Sequence, residues 1–270
     1  MCAALNPAKV QLRDRILSEA AKHVRATGFT NGALVTALKT IEDKRISDRT
    51  LADLFNRGFP IALVEYVVKS SNQAVHRELE LSFSKDAVVR SIEANFENFV
   101  QGQFQLPTES DVAEKALLTK IELLKPLAAL WPSAVVLEYY PSNVPYTVIN
   151  TAEFVDTTVY YMERVNALSE LLGPARRILK SKAMASHVQF SGTKDIAGAA
   201  TSSFLKSFLH GLPLSSGPHV GHSSINPSWF LKRVQLAALY GTATASLLGD
   251  ASRNAADTRA LTRKVVKAVF

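Results

Sequence analysis

The chain has 270 residues, and 47% of them are hydrophobic, which is an ordinary composition for a globular protein. Its formal net charge of +7 at pH 7 is compatible with an anionic partner such as nucleic acid or an acidic membrane surface. Its single cysteine, Cys2, excludes a disulfide within the chain. Lys, Glu or Pro interrupts each long apolar stretch before the roughly 20 residues that a membrane span needs, and the first residues lack the apolar core of a secretory signal.

The first sixty residues predict three helices and the start of a fourth. Apolar residues recur at the helical period from Leu12 to Val24, and Gly28 is expected to end that helix. Thr30 and Ser47 are the expected N-caps of the second and third helices. A fourth helix begins near Pro60, and helical patterning resumes over residues 87–99.

The middle of the chain predicts two more helices around a proline-rich turn. A helix beginning at Ser110 should kink at Pro126 and end at Trp131-Pro132. Residues 135–140 fit either a strand or a buried helix. After a turn in which Asn143 can cap the next helix, an amphipathic stripe follows, made of Val148, Ala152, Val155, Val159 and Met162.

The last third contains a segment of poor helical pattern. Residues 173–224 are polar, basic and rich in Gly, Ser and Pro, which predicts a flexible insertion with a short helix over 196–209. Helices over 228–248 and 254–269 complete the chain. The predicted fold class is all-α.

Motifs for catalysis, metal binding and nucleotide binding are weak. The chain has no G-x-S-x-G elbow and no Glu-x-x-His pair for a di-iron bundle. Gly192-Thr193-Lys194 matches only half of a P-loop. His219 and His222 lie among Gly, Pro and Ser with no carboxylate or thiol beside them, which favours a solvated loop over a metal site. We therefore predict no catalytic residue, no metal and no cofactor.

The N-terminal helices resemble the three-helix DNA-binding head of TetR-type regulators. The third helix, over residues 47–56, would be the recognition helix, but it carries Asp48 and Asp53 beside Arg49 and Arg57. Two carboxylates in so short a helix would repel phosphates. A TetR-like DNA-binding regulator remains the alternative function, and these residues could equally be the core of a helical bundle.

The helix near the C-terminus predicts a contact surface for a partner. Trp229, Arg233, Leu236 and Tyr240 follow the spacing i, i+4, i+7 and i+11 and so share one face. The face could simply be core, with Arg233 reaching out at its edge. A Trp-Phe pair beside Lys232 and Arg233 is more typical of an interface.

Together these segments resemble one family, the Coq nine lipid-binding proteins of ubiquinone biosynthesis. The resemblance rests on R-x-x-I-L-x-x-A-A-x-x-V-x-x-x-G-F-T over 13–30, on L-W-P-x-A over 130–134, and on P-x-N-x-P over 141–145 with the helix through Asp156 to Tyr160-Tyr161. It continues with W-F-x-K-R-x-x-L-A-A-x-Y over 229–240 and with Asp250-x-Ser252 and Asp257-Thr258.

The resemblance implies a TetR-like fold and a function without catalysis. It implies a three-helix head over 8–60 and a lipid-binding helical domain over 61–172 and 225–270, and a homodimer is compatible with it. Such a protein would bind isoprenoid quinone intermediates and present them to the demethoxyubiquinone hydroxylase (Coq seven) at the matrix face of the mitochondrial inner membrane. It would be a peripheral membrane protein, and no nucleic-acid partner is expected. No mitochondrial presequence is visible in the chain.

The resemblance also implies two sets of site residues. The partner-binding set is Trp229, Phe230, Lys232, Arg233 and Asn226, the last standing where the family has an aspartate. The lipid-binding set, chosen by apolar periodicity on the middle and late helices, is Leu127, Val135, Leu137, Val148, Phe154, Val155, Leu236, Leu239, Tyr240 and Leu247.

Overall fold

The computed structural model describes residues 7–41, 46–189 and 227–270, and within these ranges the chain forms helices, turns and short loops without a strand. The predicted all-α class is confirmed, whereas the TetR-like arrangement stays a prediction. The α-helices are α1 (Pro7–Thr27), α2 (Asn31–Ile41), α3 (Asp48–Leu54), α4 (Phe59–Phe83), α5 (Lys85–Ala94), α6 (Phe96–Gln101), α7 (Glu109–Leu124), α8 (Trp131–Glu138), α9 (Val144–Gln189), α10 (Pro227–Gly249) and α11 (Ala256–Val269). Short 3-10 segments cover Lys125–Leu130 and Arg253–Ala255.

The predicted ends of the first helices are confirmed by their hydrogen bonds. Gly28 adopts a left-handed φ of 69° and donates its N–H to the Val24 carbonyl at 2.8 Å, which closes α1. Ser47 caps α3, because its Oγ accepts a hydrogen bond from the Thr50 N–H at 3.2 Å. Gly28 and Ser47 thus set the helix boundaries that the sequence predicts.

The chain forms two compact units, and the first comprises residues 1–75, 117–154 and 237–262, of which 1–6 and 42–45 lie outside the described residues. Its core contains Ile16 and Leu17 of α1 together with Ile121 of α7 and Leu247 of α10. The predicted head over 8–60 therefore shares one core with later helices. An edge-to-face contact between Phe29 and Trp131, with ring centroids 5.9 Å apart, lies in this core.

Trp131 and Pro132 begin a helix instead of ending one. The proline at position 126 does interrupt α7, and the chain continues as a 3-10 segment up to Leu130. Pro132 then lies in the first turn of α8, where no intrahelical N–H donor is required. The ambiguous segment 135–140 is accordingly helical up to Glu138, so the strand alternative is wrong.

The second unit comprises residues 76–116, 155–236 and 263–270, of which 190–226 lie outside the described residues. Its core packs Val88, Ile92 and Phe99 of α5 and α6 against Leu168 and Leu172 of α9.

Helix α9 continues through Pro174 to Gln189, so the first part of the predicted insertion over 173–224 is helical. Arg177 and Lys180 of this part are exposed, so its polar sequence is that of the solvated face of a helix. The rest of that segment, including the predicted helix over 196–209, lies outside the described residues.

Among the helices that the structure describes, none combines the length and the hydropathy needed to cross a bilayer.

Candidate functional site

The N-terminal half of α10 presents a row of exposed apolar side chains. Trp229, Phe230, Leu231 and Val234 are between 39% and 63% exposed, and we call these four residues the α10 surface. The rings of Trp229 and Phe230 meet edge to face with centroids 4.8 Å apart. Large aromatic side chains left in water at the start of a helix are typical of a contact site.

Arg233 holds Trp229 in place on this surface. Its guanidinium carbon lies 3.6 Å from the centroid of the Trp229 ring, and its Nη1 donates to the Trp229 carbonyl at 3.3 Å. Its Nε donates to Oδ1 of Asp156, on α9, at 2.7 Å. The predicted sharing of one face by Trp229 and Arg233 is thus realised as a direct stacking contact.

The remaining predicted partner-binding residues have different surroundings. Lys232 is half-buried, and its Nζ donates to Oε1 of Glu109, the first residue of α7, at 2.7 Å. Its charge is therefore already paired within the chain. Asn226 lies outside the described residues. Asp156 and Glu109 were not predicted as site residues, although Asp156 belongs to the segment that carries the family resemblance.

The predicted lipid-binding residues divide between the two units. In unit one, Phe154, Leu239 and Leu247 are buried, whereas Tyr240 is half-buried. In unit two, Val155 and Leu236 are buried. The half-buried residues packed against the core of unit one are Leu127, Val135 and Leu137.

Val148 is misplaced by the periodicity argument, because it is 60% exposed. The buried face at the start of α9 runs instead through Asn150 and Phe154, and Asn150 accepts a hydrogen bond from Asn72 Nδ2 at 2.9 Å through its carbonyl. Because Asn150 is polar, the apolar pattern does not indicate that it lies on the buried face of α9, and it places Val148 there instead. Val148 and Ile149 therefore belong to an exposed apolar group around the junction of α8 and α9, together with Val136, Tyr139, Tyr140 and Tyr146.

The interior of unit one is closely packed around these predicted residues. A cavity of about 10 Å³ lies between α7 and α10, and it is lined by Lys120, Tyr240, Thr244 and aliphatic side chains that include Leu117 and Leu247. That volume holds about one water molecule. A polyprenyl chain does not fit there unless side chains or helices move apart.

Sequence reasoning missed the most unusual residue of this unit, Lys120. It is 2% exposed, and its Nζ donates to the Val68 carbonyl at 3.2 Å, to Ser71 Oγ at 2.5 Å and to Asn72 Oδ1. The sequence did contain a signal, because Lys120 interrupts the stripe of buried apolar residues on α7 that includes Leu117 and Leu124.

Two aromatic rings face the same ammonium. The Nζ atom of Lys120 lies 5.7 Å from the ring centroid of Phe154 and 5.9 Å from that of Tyr240, whose centroids are 5.0 Å apart. These distances permit cation–π attraction. The ammonium is therefore stabilised by three neutral oxygens and two ring faces. None of these three hydrogen bonds goes to a carboxylate.

Burial shifts the ionisation of three groups in this region. Desolvation lowers the pKa of Lys120 to about 7, against the attraction of Glu138 and Glu153. Desolvation raises the pKa of Glu138 to about 7, with Lys120 opposing the shift and Glu65 adding to it. Burial, with Glu138 adding to its effect, also raises the pKa of the Tyr240 hydroxyl above its usual range.

The predicted recognition helix has few cations free for phosphate. Arg57 forms an ion pair with Glu65 at 2.8 Å, and its guanidinium carbon lies 3.6 Å from the Tyr146 ring centroid. Asp53 of α3 is paired with Lys9 at 3.4 Å. Arg57, which follows α3 in the chain, is thus engaged within unit one.

One comparison with known families connects this geometry to a biological process. The family model COQ9 matches residues 218–270, about a fifth of the chain, which include α10, α11 and the whole α10 surface. Over the matched residues the chain is similar to that family, which is an accessory rather than a catalytic one in mitochondrial ubiquinone biosynthesis. No curated protein matches the chain.

Proposed function

On the premise that the COQ9 match assigns the chain to ubiquinone biosynthesis, we propose that it is a lipid-binding accessory protein. It binds an isoprenoid quinone intermediate and presents it to the demethoxyubiquinone hydroxylase. The observation that carries this proposal is the position of the α10 surface, which lies within the matched residues and exposes both Trp229 and Phe230.

The α10 surface is the site proposed to dock on the hydroxylase. Its apolar side chains gain free energy when a partner covers them, at about 25 cal/mol per Å². Trp229 is already held by Arg233, so little side-chain entropy is lost on binding. Exposed and preorganised aromatic residues are the usual anchors of an interface.

The lipid is proposed to enter unit one, where most of the predicted lipid-binding residues lie. Each buried CH2 of an isoprenoid chain contributes about 0.8 kcal/mol, so an apolar interior can compete with a bilayer for the chain. Because the closed interior has a cavity of only about 10 Å³, binding requires the helices of this unit to separate. We place this exchange at the matrix face of the mitochondrial inner membrane and assign no catalytic step to the chain.

Native mass spectrometry of the purified protein tests the lipid part of the proposal. The expected result is a bound mass that tandem spectrometry identifies as an isoprenoid quinone or its precursor. Protein recovered free of lipid, which also fails to extract quinone from vesicles, would remove the carrier function.

Association with the hydroxylase tests the docking part. Trp229→Lys should abolish co-purification while the fold and the bound lipid persist. Tyr140→Lys is the matched control, because Tyr140 is another exposed aromatic residue, 64% exposed, outside the α10 surface. Normal co-purification of the Trp229→Lys protein would refute docking at this surface.

A further inference from the structure

The cavity between α7 and α10 is lined by both polar and aliphatic side chains. Lys120 and Tyr240 line it together with Thr244, and the aliphatic side chains of Leu117, Leu124 and Leu247 line the rest. An amphiphilic lining of this kind matches a ligand that carries a polar ring on an apolar chain.

A lysine at this position is more polar than packing alone requires. Its neighbours on the buried face of α7 are apolar, and transferring an ammonium group into such an interior is costly even when its hydrogen bonds are made. Methionine or leucine would fill a similar volume without that cost. The three acceptors around Nζ keep the ammonium oriented beside the cavity.

We propose that this cavity, once opened, is the site for the ring of the quinone, with Lys120 Nζ and the Tyr240 hydroxyl donating hydrogen bonds to a ring carbonyl or phenol oxygen. The first isoprene units then lie on the aliphatic side chains that line the cavity, among them Leu117, Leu124 and Leu247. This inference rests on the proposed lipid-binding function and assigns the headgroup site within it.

The contacts of Lys120 allow such an exchange at low cost. A ligand oxygen that takes the place of Ser71 Oγ leaves the ammonium with the same number of hydrogen bonds, and Ser71 Oγ keeps its own hydrogen bond to the Val68 carbonyl. Asn72 remains attached to the Asn150 carbonyl through its Nδ2. The rings of Phe154 and Tyr240 can border the quinone ring as they now border Nζ.

The test compares two ligands that share a chain and differ at the head. One is a benzoquinone carrying three isoprene units, and the other is farnesene, a hydrocarbon of the same chain without the ring. Protein is incubated with vesicles that contain either ligand and separated by flotation, and the retained ligand is quantified by mass spectrometry. The proteins compared are the unsubstituted chain, Lys120→Met, Tyr240→Phe and Lys115→Met, a control at a half-buried lysine of the same helix that pairs with Glu78.

We expect Lys120→Met to lower quinone retention by roughly tenfold or more and Tyr240→Phe by roughly fivefold, with farnesene retention unchanged. Lys115→Met should behave as the unsubstituted protein. If Lys120→Met fails to fold, Tyr240→Phe still decides the question, because it removes only a hydroxyl oxygen.

Equal quinone retention by the unsubstituted and Tyr240→Phe or Lys120→Met proteins would overturn the headgroup site while leaving the carrier function intact. A parallel loss of farnesene would also overturn it, because the defect would then be one of packing. If the unsubstituted protein retains neither ligand, the proposed function itself fails.

Discussion

Asp156 accepts a hydrogen bond from Arg233 Nε at 2.7 Å, although 77 positions separate the two residues in the chain. Asp156 is exposed, whereas the side chain of Arg233 is 20% exposed because it lies against the indole of Trp229. The carboxylate therefore orients the arginine, and the arginine orients the tryptophan. A residue on α9 thus determines how the α10 surface is presented.

Removing that carboxylate should weaken docking without weakening the fold. Exposed ion pairs contribute less than about 1 kcal/mol, so we expect the melting temperature of Asp156→Ala to stay near that of the unsubstituted protein. With Arg233 no longer held, association with the hydroxylase should fall by roughly threefold to tenfold, measured by surface-immobilised binding. Glu163→Ala, at an exposed acidic residue of the same helix, is the control. Unchanged affinity of the Asp156→Ala protein would show that the contact does not organise the surface.

Replacing Arg233 by lysine separates its charge from its shape. Lysine keeps the positive charge but lacks the planar group that stacks on an indole and donates at the same time to a carboxylate. We expect Arg233→Lys to weaken hydroxylase binding by roughly tenfold and to change tryptophan fluorescence, because the Trp229 ring loses its neighbour. Binding that depends on charge alone would instead be preserved in the lysine variant, and the stacking contact would then have no role.

The two tryptophans of the chain should differ in their contribution to stability. Trp131 is 2% exposed and packs edge to face on Phe29, so Trp131→Ala should cost about 3–5 kcal/mol in the free energy of unfolding. Trp229 is 39% exposed, and Trp229→Ala should cost about 1 kcal/mol or less. Urea denaturation followed by far-ultraviolet circular dichroism measures both. Similar losses in the two variants would mean that Trp229 is a core residue.

The sequence predicts most of the helices because their ends carry local signals. The end of α1 and the starts of α2 and α3 lie at Gly28, Thr30 and Ser47. Each of these residues forms a hydrogen bond with a residue within four positions in the chain. The motif Asp250-x-Ser252 followed by Thr258 likewise marks a helix start through local hydrogen bonds. Asp250 accepts hydrogen bonds from the N–H groups of Ser252 at 2.7 Å and Thr258 at 2.8 Å, so it fixes the start of α11.

The parts that the sequence did not predict depend on tertiary contacts. Trp131-Pro132 fits a helix end and a helix start equally well, and the local sequence does not indicate that Trp131 packs on Phe29 in the core of unit one. The buried polar residues Lys120 and Asn150 break the apolar periodicity, and their hydrogen-bond partners lie 48 or more positions away. Likewise, nothing near Arg233 in the chain indicates Asp156 as its partner. Site residues chosen by apolar spacing alone were therefore misplaced at Val148.

The buried pair Lys120 and Glu138 should give unfolding a characteristic dependence on pH. The pKa of Lys120 is about 7 in the folded protein and about 10.5 when the chain is unfolded, so the unfolded chain binds the extra proton between these values and stability rises with pH above 7. The pKa of Glu138 is about 7 when folded and about 4.5 when unfolded, so stability falls as pH rises from 4.5 to 7. Both contributions place a minimum of stability near neutral pH.

Unfolding by urea at pH 5, 7 and 9 tests this dependence, with each group changing the free energy by at most about 1.4 kcal/mol per pH unit. Lys120→Met should remove the rise between pH 7 and 9, and Glu138→Gln should remove the fall between pH 5 and 7, while the other limb persists in each variant. Lys115→Met, at a half-buried lysine of the same helix that pairs with Glu78, serves as the control and should leave both limbs unchanged. An alkaline limb that survives in the Lys120→Met protein would mean that this lysine keeps its ordinary pKa, and that its ammonium is hydrated in the folded protein rather than held among Ser71, Asn72 and the two rings.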